Sequence, residues 1–268
     1  MATVANPLAV VTGASTGIGF HLARQAAQRG YDVVIAADGE GIEAAADELR
    51  AIGTRVQAVR ADLATAEGCQ QLIAAVERLA RPVEVLAFNA GVGVGGQFAT
   101  ETNLDEEIDI IDLNCSATVR LAKWGAKAMA ARGRGRILIT ASLAGIMPTP
   151  LQAVYGASKA FTLSFASSLH HELEDFGVTV TAMLPGPTDT EFFHRAGMDD
   201  TKVAQEAVKN QPEDVAKQGF DALLAGNERV AAGNFSVKMQ GAVARFLPES
   251  VKANMHKNMS EHGSAEKK

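Results

Sequence analysis

From residue 8 to residue 232 the chain alternates short apolar or β-branched runs with longer helix-patterned stretches, and few folds accept that rhythm. The runs read LAVVT, DVVIAA, RVQAVRA, EVLAFNAG, RILITAS, VTVTAML and a late RVAAG. Between them stand HLARQAAQRG, GIEAAADELRAIG, CQQLIAAVERLA, a long stretch containing Trp124 and one beginning near Gln152. Parallel strands need crossovers, and helical crossovers cover both faces of a sheet. The expected architecture is α/β, a parallel sheet between helical layers. No linker or second composition regime interrupts it, so residues 1–268 read as one domain. Gly30, Gly53, Gly133 and Gly135 follow expected helices, where a left-handed C-terminal cap is needed.

The 268 residues are 47% hydrophobic and 21% charged, enough to bury a sizeable core. A net charge of -6 with no basic cluster excludes nucleic acid as the main partner. Cys69 and Cys115 stand in no metal-type spacing and read as buried thiols in a reducing compartment, so no metal site is expected. The opening MATVANPLAVVTG has no charged leader with a long apolar run, and no stretch approaches the ~20 apolar residues of a membrane span; the expected location is cytoplasmic. Residues 234–260 differ from the rest. Val237, Val243, Phe246, Leu247, Val251 and Met255 are interspersed with Lys238, Arg245, Lys252 and Lys257, and Pro248 divides the segment into two short amphipathic helices. Packing on its own domain, where it could cap the pocket, or on a second subunit, where it could extend the interface, is expected, with peripheral contact to a membrane surface as the alternative. Residues 261–268, EHGSAEKK, are expected to fray.

Two stretches carry chemistry. TGASTGIG, Thr12 to Gly19, joins the first strand to the first helix. Gly13, Gly17 and Gly19 allow a tight turn and let a pyrophosphate approach backbone amides at the helix N-terminus, with Ser15 and Thr16 offering hydroxyls and Ile18 completing the turn. In AVYGASKAF, Tyr155 and Lys159 are four residues apart and share one helix face. A nearby ammonium favours phenolate, so Lys159 is expected to lower the ionisation of Tyr155. Taken alone, such a pair is more often a core tyrosine and a snorkelling lysine, so the rest of the chain must decide.

The G-x-x-x-G-x-G spacing, FNAG at Phe88 to Gly91, YGASK, and PGPTDT at Pro185 to Thr190 occur in order, and over about residues 7–232 the chain resembles the classical short-chain dehydrogenase/reductase family. The resemblance implies a Rossmann-type doubly wound fold with a mainly seven-stranded parallel sheet. It also implies a catalytic tetrad: Asn114 holding a water, Ser142 binding the reacting oxygen, Tyr155 passing the proton, and Lys159 stabilising phenolate and bonding the nicotinamide ribose. Cofactor contacts follow at Gly13, Ser15, Thr16, Gly17, Ile18, Gly19, Asp62, Leu63, Asn89, Ala90, Gly91, Pro185, Gly186, Thr188 and Thr190, besides Tyr155 and Lys159. Phe88 replaces the first Asn of the usual motif, and Asn89 keeps the polar role. At the end of the second strand Asp38 can accept bonds from a ribose 2′-hydroxyl and repel a 2′-phosphate, no basic residue follows until Arg50, and Thr16 stands where NADP-preferring members often carry a base. NAD is expected over NADP, although the acid lies one residue later than usual, Ala37 occupying the customary position.

The family's pocket-forming loops here contain Leu143, Ile146, Met147, Val154, Phe192 and Phe193, which suggests a hydrophobic alcohol or ketone. Asp189, His194 and Arg195 could recognise a polar group. His170 and His171 lie too far along their helix to join Tyr155, ~22 Å at 1.5 Å per residue, and are expected at the surface or an interface. The expected activity is NAD(P)-dependent interconversion of an alcohol and a ketone or aldehyde. A related epimerase or dehydratase and a non-catalytic dinucleotide sensor are the alternatives. Family members commonly assemble as homodimers or homotetramers through the helices around Asn114 and Tyr155.

Overall fold

The computed structural model describes residues 6–243 and 247–266. Arg245 and Phe246 lie outside the described residues, as does the side chain of Val243. Seven parallel strands form one sheet: β1 (Leu8–Thr12), β2 (Asp32–Ala37), β3 (Val56–Arg60), β4 (Val83–Phe88), β5 (Gly135–Thr140), β6 (Val178–Pro185) and β7 (Arg229–Ala232), in the order β3-β2-β1-β4-β5-β6-β7. Every residue of β1 and β2 is buried, as strands covered on both faces must be.

One face is covered by α1 (Gly17–Gln28), α2 (Ile42–Arg50) and α9 (Pro212–Ala225), where Leu22, Ile42, Leu49 and Phe220 pack on Ala9, Val11 and Ile35. The other is covered by α3 (Ala66–Glu77), α5 (Thr118–Arg132) and α6 (Ala153–Glu174), where Leu72, Leu121, Met129 and Ala166 pack on Val10, Leu86 and Ile137. The chain turns from winding one way to winding the other between β1 and β4. That is the position at which an open parallel sheet leaves a crevice beyond its strand ends.

Three details differ from expectation. The long helix containing Trp124 is α4 (Leu104–Ile111), a π-helical segment over Asp112–Ala117, and α5. Gly133 caps α5 at φ +72°, but Gly135 opens β5, where a Cβ would meet Met129 Sδ at 2.4 Å; it is there for packing, not capping. Of the tail expected to fray, residues 262–264 are hydrogen-bonded to the domain, and Lys267 and Lys268 lie outside the described residues. Asp200 accepts the Gly263 amide (2.7 Å) and pairs with His262 (3.0 Å), while the Ser264 hydroxyl is buried and accepts from the Lys202 amide (2.9 Å).

Between β6 and α9 lie two short helices, α7 (Phe192–Arg195) and α8 (Lys202–Ala207). After β7, Pro248 separates α10 (Phe235–Val243) from α11 (Glu249–Ser260), and both return to the carboxyl ends of the strands. Val237 of α10 packs against Gly186, where even a methyl group would sit 2.3 Å from its Cγ2. Among the described residues no helix is long and apolar enough to cross a membrane.

Candidate active site

The glycine turn is shaped by what it must pass. Gly13 and Gly17 hold φ of +64° and +58°, a region glycine enters without penalty. A Cβ on Gly13 would lie 2.7 Å from Ala90 Cα, and one on Gly19 would lie 2.1 Å from Gly13 O, so turn, helix and the loop after β4 meet backbone to backbone. Asn89 ties these parts together. Its amide N–H donates to Thr12 Oγ1 (3.0 Å), its Nδ2 donates to Gly13 O (3.3 Å), and its Oδ1 accepts from Thr140 Oγ1 (3.3 Å). Thr16 is the N-cap of α1 but caps nothing with its side chain, and no acidic residue occupies the first turn. The helix amides and the Thr16 hydroxyl are thus left to an outside anion.

From this turn one cavity of about 540 Å³ runs past Asp38, Asp62, Leu63, Ala90 and Gly91 to Ser142, Tyr155 and Lys159, and on beneath Pro185, Gly186, Thr188 and Thr190. All the sequence-expected cofactor positions except Gly19 line it, and Gly19 supports the turn from behind. Thr188 and Thr190 currently donate to Gly186 O (2.8 Å) and Thr188 O (3.4 Å). Asp38 has a basic neighbour that the linear order hid. The β2–β3 register sets Ala37 beside Arg60, whose Nε donates to Asp38 O (3.0 Å) and whose other end reaches Glu40 (3.4 Å).

The tetrad positions converge although they come from three parts of the chain: the π-helical segment, the turn after β5, and α6. Asn114, 1% exposed in the π-helical segment, clamps the loop after β4: its Oδ1 accepts from the Val92 amide and its Nδ2 donates to Val92 O, both at 3.0 Å. The same Nδ2 donates to Ser158 Oγ at 2.9 Å, and Ser158 in turn donates to Tyr155 O at 2.7 Å. Ser158 was not legible beforehand as a brace between Asn114 and Tyr155. Lys159, 5% exposed, donates to Thr140 O at 3.1 Å, and Gly91 leaves the gap between Lys159 and Asn114 that any side chain would close. Phe192 packs on the Tyr155 ring with centroids 5.1 Å apart.

The expected pull of Lys159 on the phenol is not the dominant effect. The ammonium sits over the Tyr155 ring, 5.8 Å from its centroid, and turns to Thr140. Burial therefore pushes Tyr155 up to about 12, against a smaller pull from its hydrogen bond with Ser142. Burial pulls Lys159 down to about 8, opposed by Cys115. The phenol therefore keeps its proton at neutral pH.

Leu143, Met147, Phe192 and Phe193 line the cavity as expected; Ile146 packs toward the sheet core instead, and Val154 is not part of the lining. Arg195 lines it, whereas His194 points out to Asp199 (2.9 Å) and Asp189 belongs to a shallower depression beside it. His170 meets Val180 O at 2.7 Å and its neighbour His171 edge-on, away from the cavity. Gln152, just before α6, was not foreseen, whereas Met239, Lys252, Met255, His256 and Met259 from α10 and α11 cap the cavity as one expectation for the C-terminal segment had it. Lys252 and His256 are one turn apart and reach Ile146 O (3.4 Å) and Pro150 O (3.1 Å), fastening α11 to the loop after Ser142.

Residues 7–201, more than half of the chain, match the short chain dehydrogenase family. The chain belongs to that family. Over 220 residues this dehydrogenase is 33% identical to the 3-oxoacyl-[acyl-carrier-protein] reductase of Synechocystis sp., covering 81% of this chain and 88% of the relative. It superposes on a short-chain dehydrogenase from Sphingobium yanoikuyae in complex with NADPH at a TM-score of 0.75 and 32% identity, covering 84% and 86% of the two chains. A short chain dehydrogenase/reductase from Burkholderia phymatum in complex with NAD gives 0.77 and 26%, covering 86% and 90%.

Proposed function

We propose that this dehydrogenase interconverts an alcohol and a ketone or aldehyde, with Tyr155 as the general acid and base. The observation that carries the reading is one continuous cavity that begins at an anion-ready glycine turn and ends at a buried phenol braced by Ser142, Lys159 and Asn114. The turn fits a dinucleotide: the close approach of Gly13 to Ala90 leaves no room for side chains, and the uncapped start of α1 favours a pyrophosphate. Bound there, a nicotinamide dinucleotide supplies the hydride in reduction and accepts it in oxidation.

The protein's own contribution is orientation and the proton. Ser142 Oγ donates to the carbonyl oxygen and holds it beside Tyr155 Oη. As the carbonyl carbon gains hydride, the phenol gives its proton to that oxygen; in alcohol oxidation the phenolate takes it back. Lys159, cationic below about pH 8, stabilises the transient phenolate from beneath the ring. Asn114 keeps the Val92 loop in place, and the water it holds in the proposed relay returns protons toward Lys159. Leu143, Met147, Phe192 and Met255 favour an apolar substrate body.

Asp38 and Thr16 support NAD over NADP, and Arg60 does not reverse this because its guanidinium already pairs with Glu40. Asp38→Arg should shift the affinity ratio toward NADP; an unchanged ratio removes Asp38 from that role. Leu104, Ile108 and Ile111 on α4, Val119 on α5 and Phe161 on α6, all exposed, support assembly as a homodimer or homotetramer. The test of function is fluorescence titration with NADH and NADPH, followed by a panel of ketones and aldehydes. Carbonyl-dependent oxidation of the bound nucleotide is expected, and tight binding with no turnover across the panel would favour a sensor.

A further inference from the structure

Asn210 stands between α8 and α9, is 5% exposed and does not line the cavity. Its hydrogen bonds nevertheless converge on the loop after β6. The main-chain N–H donates to Ala207 O (2.9 Å), and the main-chain carbonyl accepts from the Asp189 amide (2.9 Å). In the side chain, Nδ2 donates to Pro187 O and Oδ1 accepts from the Asn234 amide, both at 2.7 Å. A donor faces a carbonyl and an acceptor faces an amide, so the carboxamide fits in one orientation and a carboxylate would not fit as well. Pro187 and Asp189 flank Thr188, a buried residue of the cavity lining. Asn210 thus grips that loop on both sides of a residue that faces the site.

The gripped loop lies at the reactive end of the cavity. Phe192, four residues beyond Thr188, packs on the Tyr155 ring, whereas the glycine turn, Asp38 and Asp62 form the other end. Through Asn234 the same side chain also holds the start of α10. Asn234 Oδ1 accepts from the Val237 amide (3.1 Å), and Val237 packs against Gly186, so loop and closing helix form one unit joined at Asn210. Resting on the proposed function, we infer that Asn210 is a positioning residue for hydride transfer: it holds the 187–189 loop and α10 against the nicotinamide end of the bound nucleotide, while the adenosine end is held without it. Placement matters at that end, since a shift of ~1 Å between reacting groups can cost about a hundredfold in rate. A side chain that only stabilised the fold would serve both ends alike.

The test compares, by titration calorimetry, the affinities of NADH and of ADP-ribose, which lacks the nicotinamide; if NADPH binds tighter, it is paired with 2′-phospho-ADP-ribose. Asn210→Ala leaves Pro187 O and the Asn234 amide without partners and is expected to weaken the reduced nucleotide at least about tenfold and the ADP-ribose by less than about threefold. Asn210→Asp keeps the size and the acceptor for Asn234 but turns an oxygen toward Pro187 O. It should move the ratio the same way, and it carries the test if Asn210→Ala does not fold. In both variants the nicotinamide fluorescence of the bound nucleotide at saturation should fall toward that of the free nucleotide. Equal losses for the two ligands would make Asn210 a brace of the whole fold and overturn the inference, as would a ratio unmoved in both variants; either result leaves the Tyr155 reading standing. A wild type that binds neither NADH nor NADPH overturns both.

Discussion

Lys159 brings an ammonium into a place where charge is expensive, and burial rather than pairing sets its behaviour. Its ionisation falls from the ordinary 10.5 to about 8 in the folded protein. Between those values the unfolded chain binds the extra proton, so stability should rise as pH climbs from about 8 to 10.5, with a constant penalty below. Lys159→Met is expected to flatten that rise and to gain about 1–3 kcal/mol at pH 7 in urea unfolding, while turnover falls at least about a hundredfold. A variant that loses stability and keeps activity would mean the lysine is structural. The same contrast marks what was legible at this scale. Tyr155 and Lys159 could be paired from helical spacing, but the balance between desolvation and attraction depends on where the ammonium points. Gln152 and His256 offered no linear signal, because one is singled out by a buried Nε2 with no partner among the described residues and the other by a helix that folds back from the far end of the chain.

At the scale of elements, the break between α4 and α5 shows how backbone irregularity positions a side chain. The π-helical turn at Asp112–Ala117 sets Asn114 against both amide groups of Val92 and against Ser158. Asn114→Ala leaves those groups without partners and is expected to cost about 2–3 kcal/mol and to lower turnover beyond what the stability loss explains, measured by thermal unfolding and single-turnover kinetics. Gly19→Ala is expected to weaken nucleotide binding and cost about 1–3 kcal/mol, since its methyl group would lie 2.1 Å from Gly13 O; unaltered titration would show that the turn yields. Strands, helices and the caps at Gly30, Gly53 and Gly133 followed from periodicity and punctuation. The π-helical turn did not, because its residues read as ordinary helix. Nor did the place of Gly135, which depends on Met129 from the preceding helix.

For the whole molecule, alternation of strand and helix was enough to specify a parallel sheet, and the switch between β1 and β4 locates the crevice. The closing wall was less legible. Residues 234–260 read as an amphipathic segment that could cap the pocket, extend a subunit interface or touch a membrane, and only tertiary packing selects the first, seating α11 on the loop after Ser142 through Lys252 and His256. The exposed apolar residues of α4 to α6 make a prediction at this scale: sedimentation should show a dimer or tetramer, and Leu104→Lys with Ile108→Lys should shift it toward monomer. A wild type that sediments as a monomer would remove that face from consideration. The proton-transfer role of Tyr155 is tested most directly by comparing wild type and Tyr155→Phe in one experiment, nucleotide affinity by fluorescence and then reduction of a carbonyl substrate in a single turnover. Affinity within about threefold and reduction slowed at least about a hundredfold are expected; near-wild-type reduction would contradict Tyr155 as the proton donor.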